Sequence, residues 1–184
     1  MHRIALSLPV MLMTLHLALM AQTDSRSAES SKPAAATMQV QSNLNQLMRG
    51  VLYPAANVVF FAQSDDPATV KRPAGLDPSL ATDPLVSTFG GWLAVENAAL
   101  ALADSANLLL IPGRQCTNGE PAPINSPDWT RFVQDLRDAG VKAYKAAQTK
   151  DQDKMIEASD TLSAACAGCH RKWRDKPRGA DRCK

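Results

Sequence analysis

Cys166, Cys169 and His170 are the residues of this sequence whose types and spacing could do chemistry. Two thiols three positions apart, with a histidine directly after the second, meet the requirement for covalent attachment of a c-type haem: each sulfur adds to one vinyl group, and the imidazole ligates the iron. On a helix, Cys166 shares a face with Cys169 at i+3 and with His170 at i+4, so all three can meet one flat macrocycle. With four cysteines and three histidines in 184 residues, chance alone produces this pattern in about one such chain in seven hundred, so coincidence does not explain it.

Three other readings compete. A thioredoxin-like redox pair sits at a helix start after a strand, where the helix N-terminus lowers the thiol pKa; here the pair closes a helical segment. A structural zinc site completed by Cys116 and Cys183 would need the adjacent Cys169 and His170 to chelate one tetrahedral ion, an awkward geometry. A pair of buried structural thiols leaves His170 without a role.

The elements that must position these residues begin after an export signal. Residues 1–21 carry a charged start at Arg3, an apolar run from Ile4 to Ala21, and small residues Ala18 and Ala21 before a cleavage point at Gln22, with Leu19 an imperfect fit at the minus-three position. An uncleaved anchor is the alternative, since 18 mostly apolar residues approach a spanning length; Pro9, His16 and the polar stretch that follows favour removal and no stable membrane insertion afterwards. Removing the signal takes His2 and His16 with it, so His170 becomes the sole histidine and bis-histidine ligation within one chain is excluded. Residues 171–184 hold seven basic residues against two acidic, while the rest of the exported chain is net negative. The molecule is therefore polarised, with its positive end beside the candidate haem. Nucleic-acid binding is not expected of an exported chain whose remaining surface is acidic.

Residues 22–36, rich in Ser, Ala and Lys, read as a flexible leader, and residues 37–184 as one domain. The first helix is expected from a Thr37 cap to about Gln63, with a seam at Val40, Leu44, Leu47, Val51, Ala55, Val58 and Ala62, and with Pro54 kinking it. A Pro-rich connection over 64–84 leads to a second helix, Thr88 to Ile111, stopped by Pro112 and Gly113. Its seam is Trp92, Val95, Ala99, Leu102, Ala106 and Leu109. Ser126, Pro127 and Asp128 open a third helix to about Thr149, burying Trp129, Phe132, Leu136, Gly140, Ala143 and Ala147. Asp151 caps a fourth, whose seam runs through Met155, Ala158, Leu162, Ala165 and Cys169. The fold class expected is all-α, an antiparallel up-down-up-down four-helix bundle with the haem on the last helix. In that order the start of helix one lies near His170.

Over residues 38–176 the chain resembles the class II c-type cytochromes, the cytochrome c prime family, which are exported four-helix bundles with one haem near the C-terminus. The residues that carry the likeness are Cys166, Ala167, Gly168, Cys169 and His170, followed by Arg171, Lys172, Trp173 and Arg174, which match that family's haem motif with an aromatic and a basic residue after it. Met48 matches the first-helix position where low-spin members carry a methionine ligand. Pro54, the long first connection, Cys116 and Cys183 depart from the simplest members.

Among the methionines beyond the signal, Met155 shares a helix with His170 and Met38 lies at a helix start, so Met48 is the candidate distal ligand, against core packing as its ordinary role. Gly50 nearby would allow close approach of a porphyrin. Cys116 and Cys183 fall at one end of the expected bundle, and an oxidising compartment predicts a disulfide between them. Arg49 and Arg114 are candidate contacts for the haem propionates, with solvated surface arginines the alternative. No hydrolytic or nucleophilic constellation is visible, so an enzyme is not expected. The expectation is an exported, periplasmic-type electron carrier with one covalent haem c per chain. Its partners would be redox proteins docking an acidic surface at the basic haem end, and a homodimer stays open. A five-coordinate protein binding nitric oxide or carbon monoxide is the second reading, and a haem-bearing docking subunit the third.

Overall fold

The computed structural model describes residues 38–71, 73–175 and 183. The expected export signal, the leader, the Thr37 cap and the basic residues Lys176, Arg178, Arg182 and Lys184 lie outside the described residues.

The described chain is all-helical, with four helices packed densely as a bundle. Helix α1 is built in three continuous pieces, Leu44–Leu47, a wider π turn at Met48–Leu52, and Tyr53–Ser64. Helix α2 is Trp92–Ser105 with a tight 3-10 extension, Ala106–Leu110. Helix α3 is Pro127–Thr149, and helix α4 is Gln152–Cys169, continued by a second π turn at His170–Asp175. Each helix packs on its sequence neighbour, and α4 packs back on α1, so the four close a ring around one core.

Helix α1 starts six residues later than expected, with Asn43 as its cap instead of Thr37, and its own sequence says why. The Asn43 side chain accepts from the Gln46 backbone N–H at 2.9 Å, while the Gln46 side chain accepts from the Asn43 N–H at 2.9 Å. This reciprocal capping box satisfies two otherwise orphaned donors. The expected seam holds through Leu44 and Leu47 and at Ala62, which is fully buried, but is off by one residue between them: Leu52, Ala56 and Val59 are buried where Val51, Ala55 and Val58 were expected, and Val51 is 37% exposed. The π turn is the cause. It adds one residue to a turn, which rotates everything after it by about one helical position. Pro54 accounts for the turn being there, since its ring would collide with the Gly50 carbonyl in a regular helix and it has no N–H to donate. In the wider turn, Tyr53 donates to the Met48 carbonyl five residues back, and the helix passes through Pro54 unbroken.

The seams of α2 and α3 are as expected, with Val95, Ala99 and Ala106 on α2 and Ala143 and Ala147 on α3 fully shielded. Helix α2 begins at Trp92 instead of Thr88 because Gly91 takes a φ of 62°, which ends any helical run from the preceding loop. The 19 residues Trp92–Leu110 are long and apolar enough to cross a membrane by length and composition, with a mean hydropathy of 1.3; here they line the bundle core. On α4, Met155, Ala158 and Leu162 are buried as expected. Ser159 is buried with them and donates to the Val59 carbonyl at 3.3 Å, a polar tie between α4 and α1. The connection between α1 and α2 is organised by two short 3-10 turns, Pro78–Leu80 and Pro84–Val86. Asp77 and Asp83 cap them by accepting from Ser79 and Leu85.

Gly140 is where α2 and α3 come closest. A Cβ built there would lie 2.8 Å from the Ala103 backbone nitrogen and 3.0 Å from the Ala99 carbonyl oxygen, and neither backbone can swing away. Gly140→Ala is therefore expected to destabilise by about 1–3 kcal/mol, read from urea or thermal unfolding. Gly50→Ala is the control, because a Cβ there meets nothing within 4 Å; its stability should be unchanged or slightly raised. Equal losses at both sites would contradict the helix contact.

Candidate functional site

The core does not close at one end of the bundle. Between α1 from Leu44 to Phe60, the first half of α3 and the end of α4 lies a cavity of about 880 Å³ with mostly apolar walls. That volume falls in the range of about 300–1,000 Å³ typical of cofactor and ligand sites. Cys166, Cys169 and His170 line one wall; Met48 and Arg49 line another, from α1. Both π turns contribute, Met48–Leu52 on one side and His170–Asp175 on the other, and interruptions of this kind recur at functional sites.

Local sequence explains how α4 reaches the cavity. Asp151 caps the helix by accepting from the Lys154 N–H at 3.2 Å, and the buried side chains stop at Leu162. From Ala165 to His170 the residues are half-buried, which is the cavity wall. Gly168, between the two cysteines, lets the Phe132 ring of α3 close in: an added Cβ would meet that ring at 3.2 Å.

Burial sets the protonation of the site. It pushes the Cys166 thiol up, and it pushes Cys169 up to about 11, with the neighbouring Cys166 adding to the effect. Both are therefore neutral thiols near neutral pH, the opposite of the lowered pKa that a thioredoxin-type nucleophile needs. Burial also lowers His170, helped by the Arg174 charge and opposed by Asp175. A neutral imidazole is the form that binds a metal. Among the described residues no three His, Cys, Asp or Glu side chains gather as a metal-ion site, and Cys116 and Cys183 are joined to each other, so nothing here completes the zinc alternative. The residues present fit a c-type haem: two neutral thiols and a neutral imidazole along one wall of an apolar cavity, with a thioether and a guanidinium supplied by another.

The sequence-predicted residues are not all brought together. Cys166, Cys169, His170, Met48 and Arg49 share the cavity, Met48 half-buried and Arg49 exposed at its edge. Arg114 does not line it. Only 5% exposed, Arg114 donates from Nε to the Leu108 carbonyl at 3.0 Å and from Nη1 to the Ser42 carbonyl at 2.7 Å and the Ser42 hydroxyl at 3.1 Å. Its guanidinium holds the chain before α1 against the end of α2, and burial lowers its pKa. Gly50 is exposed and outside the cavity wall.

Trp173 lines the cavity, in keeping with its reading from the sequence as core or haem packing, and Phe132, expected as a buried residue of the third helix, lines it too. Trp173 stands edge-on to Trp129 with ring centroids 6.0 Å apart, and the Trp129 indole is fixed by donating to the Leu109 carbonyl at 3.0 Å. The place of Trp173 three residues after His170 was the available signal. At the mouth, Arg171, Lys172 and Arg174 are exposed; Lys172 pairs with Asp128 of α3, and Arg174 with Asp175 at 2.7 Å.

No known protein family, curated protein or solved structure matches this chain.

Cys116 and Cys183 form the expected disulfide, with Cα atoms 5.0 Å apart and 67 positions between them in sequence. Peptide mapping without reduction should recover one Cys116–Cys183 cross-linked pair. In the chain-entropy model, replacing both by Ser should cost about 4 kcal/mol of stability. Two freely alkylatable thiols at these positions in the folded, unreduced protein would contradict the pairing.

Proposed function

We propose that this chain is an exported monohaem cytochrome of the class II type, an up-down-up-down bundle that carries electrons. The observation that carries the reading is the meeting of Cys166, Cys169, His170 and Met48 in one apolar cavity of haem-accommodating size. A haem held there supplies one-electron exchange between ferric and ferrous iron. The chain's own residues bind and enclose it. Cys166 and Cys169 would tether the macrocycle by thioether bonds, His170 would offer a neutral nitrogen as an iron ligand, and Met48 on α1 could supply a thioether. Leu52, Phe132 and Leu136 line the cavity and would keep water from the bound group. Arg49 is placed to pair with a propionate at the cavity edge. The exposed Arg171 and the neighbouring basic side chains suit an acidic face on a redox partner.

A second reading shares the same cavity. If Met48 packs without ligating, the distal side is free for nitric oxide or carbon monoxide, and the protein is a gas binder. Met48 decides between the two.

With Met48 on the iron, the purified protein is low-spin in both oxidation states and binds carbon monoxide slowly. Met48→Ala should then turn the optical spectrum high-spin and speed carbon monoxide binding by at least about tenfold, with the haem still covalently held. A wild-type protein that is already high-spin and takes up carbon monoxide as fast as the variant would contradict the electron-carrier reading and favour the gas-binding one.

A further inference from the structure

The loop after α2 touches both sides of the cavity without lining it. Its Gln115 carbonyl accepts from the Leu44 N–H at 2.9 Å, and Arg114 holds Ser42, so the start of α1, four residues before Met48, is fixed to this loop. The next residue, Cys116, is bonded to Cys183. The Cys183 N–H donates to the Trp173 carbonyl at 2.9 Å, three residues after His170. One continuous path therefore runs from the Met48 wall, through Leu44, Gln115, Cys116, Cys183 and Trp173, to the His170 wall. It has a single covalent cross-link.

We infer that the Cys116–Cys183 disulfide is a redox-sensitive strut that sets the spacing of the two cavity walls, and through it whether Met48 reaches the iron; the iron part of this inference rests on the function proposed above. The loop is otherwise well anchored. Arg114 is buried on three acceptors, and Cys116 donates its N–H to the Glu120 carbonyl at 2.8 Å. Breaking the disulfide therefore leaves the loop on α1 and releases its hold on the π turn at His170–Asp175. Among the ties between that turn and α3 are the Lys172–Asp128 ion pair, both partners exposed, and the edge contact of Trp173 with Trp129. Exposed ion pairs contribute little.

A dithiol can throw the switch. Two electrons and two protons pass from it through a mixed disulfide, leaving the Cys116 and Cys183 thiols and the dithiol's own ring disulfide. Cys166 and Cys169, once bound to haem as thioethers, take no part in the exchange.

The test compares the mature holoprotein before and after dithiothreitol, alongside a Cys116→Ser, Cys183→Ser double variant, so that a poorly folding variant does not decide the matter alone. Hydrogen exchange is followed in peptides covering residues 42–53 and 170–175, with residues 92–105 as the reference. Carbon monoxide association to the ferrous protein is followed in parallel. Loss of the disulfide should speed exchange in 170–175 by about tenfold, leave 42–53 and the reference unchanged because the loop stays on α1, and speed carbon monoxide binding by a similar factor. Unchanged exchange in 170–175, or an unchanged carbon monoxide rate in a haem-loaded protein, would overturn the strut. If the chain carries no covalent haem, the functional reading fails, yet the exchange rate in 170–175 still decides whether the disulfide braces that wall.

Discussion

Helices α1 and α4 have to touch at one end and stand apart at the other, and the rest of the molecule depends on this divergence. At the touching end, Ser159 donates to the Val59 carbonyl and Gln152 reaches the Ala62 and Gln63 carbonyls, with Met155, Ala158 and Leu162 fully shielded beside them. At the other end the same two helices frame a cavity of about 880 Å³. Protein interiors are close-packed, and an apolar gap of that size forfeits the contacts its lining atoms would otherwise make. The walls are held from outside the gap, by the Arg114 and Gln115 contacts to the start of α1 and by the disulfide to Cys183. A flat apolar group between the walls would restore the missing contacts, so the shape of the bundle is itself an argument for a large ligand.

The chemistry follows from the same burial. Apolar walls keep both thiols protonated and His170 neutral. That combination is poor for thiolate nucleophilicity and compatible with the proposed role of His170 as an imidazole ligand beside two cysteines. Charge is confined to the mouth, where Arg49, Arg171, Lys172 and Arg174 are exposed. The thiols and the imidazole are thus inside the apolar site and the exposed charges outside it, an arrangement consistent with the electron-transfer function proposed above.

Much of this was legible in the sequence because it is carried by local pattern. The Cys166, Cys169 and His170 spacing, the seams of α2 and α3, the cap at Asp151, the helix start at Ser126–Pro127, and the disulfide partners all depend on nearby residues or on which end of a bundle an element reaches. The α1 seam from Val51 to Val58 was misread by one position, though Ala62 was not, because a single inserted residue in a π turn leaves no mark in hydrophobic periodicity; Pro54 was visible, but its effect on register was not. The start of α1 was misplaced although the Asn43 and Gln46 capping pair was there to be seen. Arg114 could not have been placed from sequence, since its acceptor at Ser42 lies 72 residues away. Ser159 likewise looks like a surface residue until the Val59 carbonyl comes to meet it.

The most direct measurement is the intact mass of the mature chain, secreted by cells competent in cytochrome c maturation and analysed under denaturing conditions. The account predicts one species heavier than the polypeptide by a single haem, with Cys166→Ala, Cys169→Ala losing that increment. A wild-type chain that emerges at the bare polypeptide mass would contradict it.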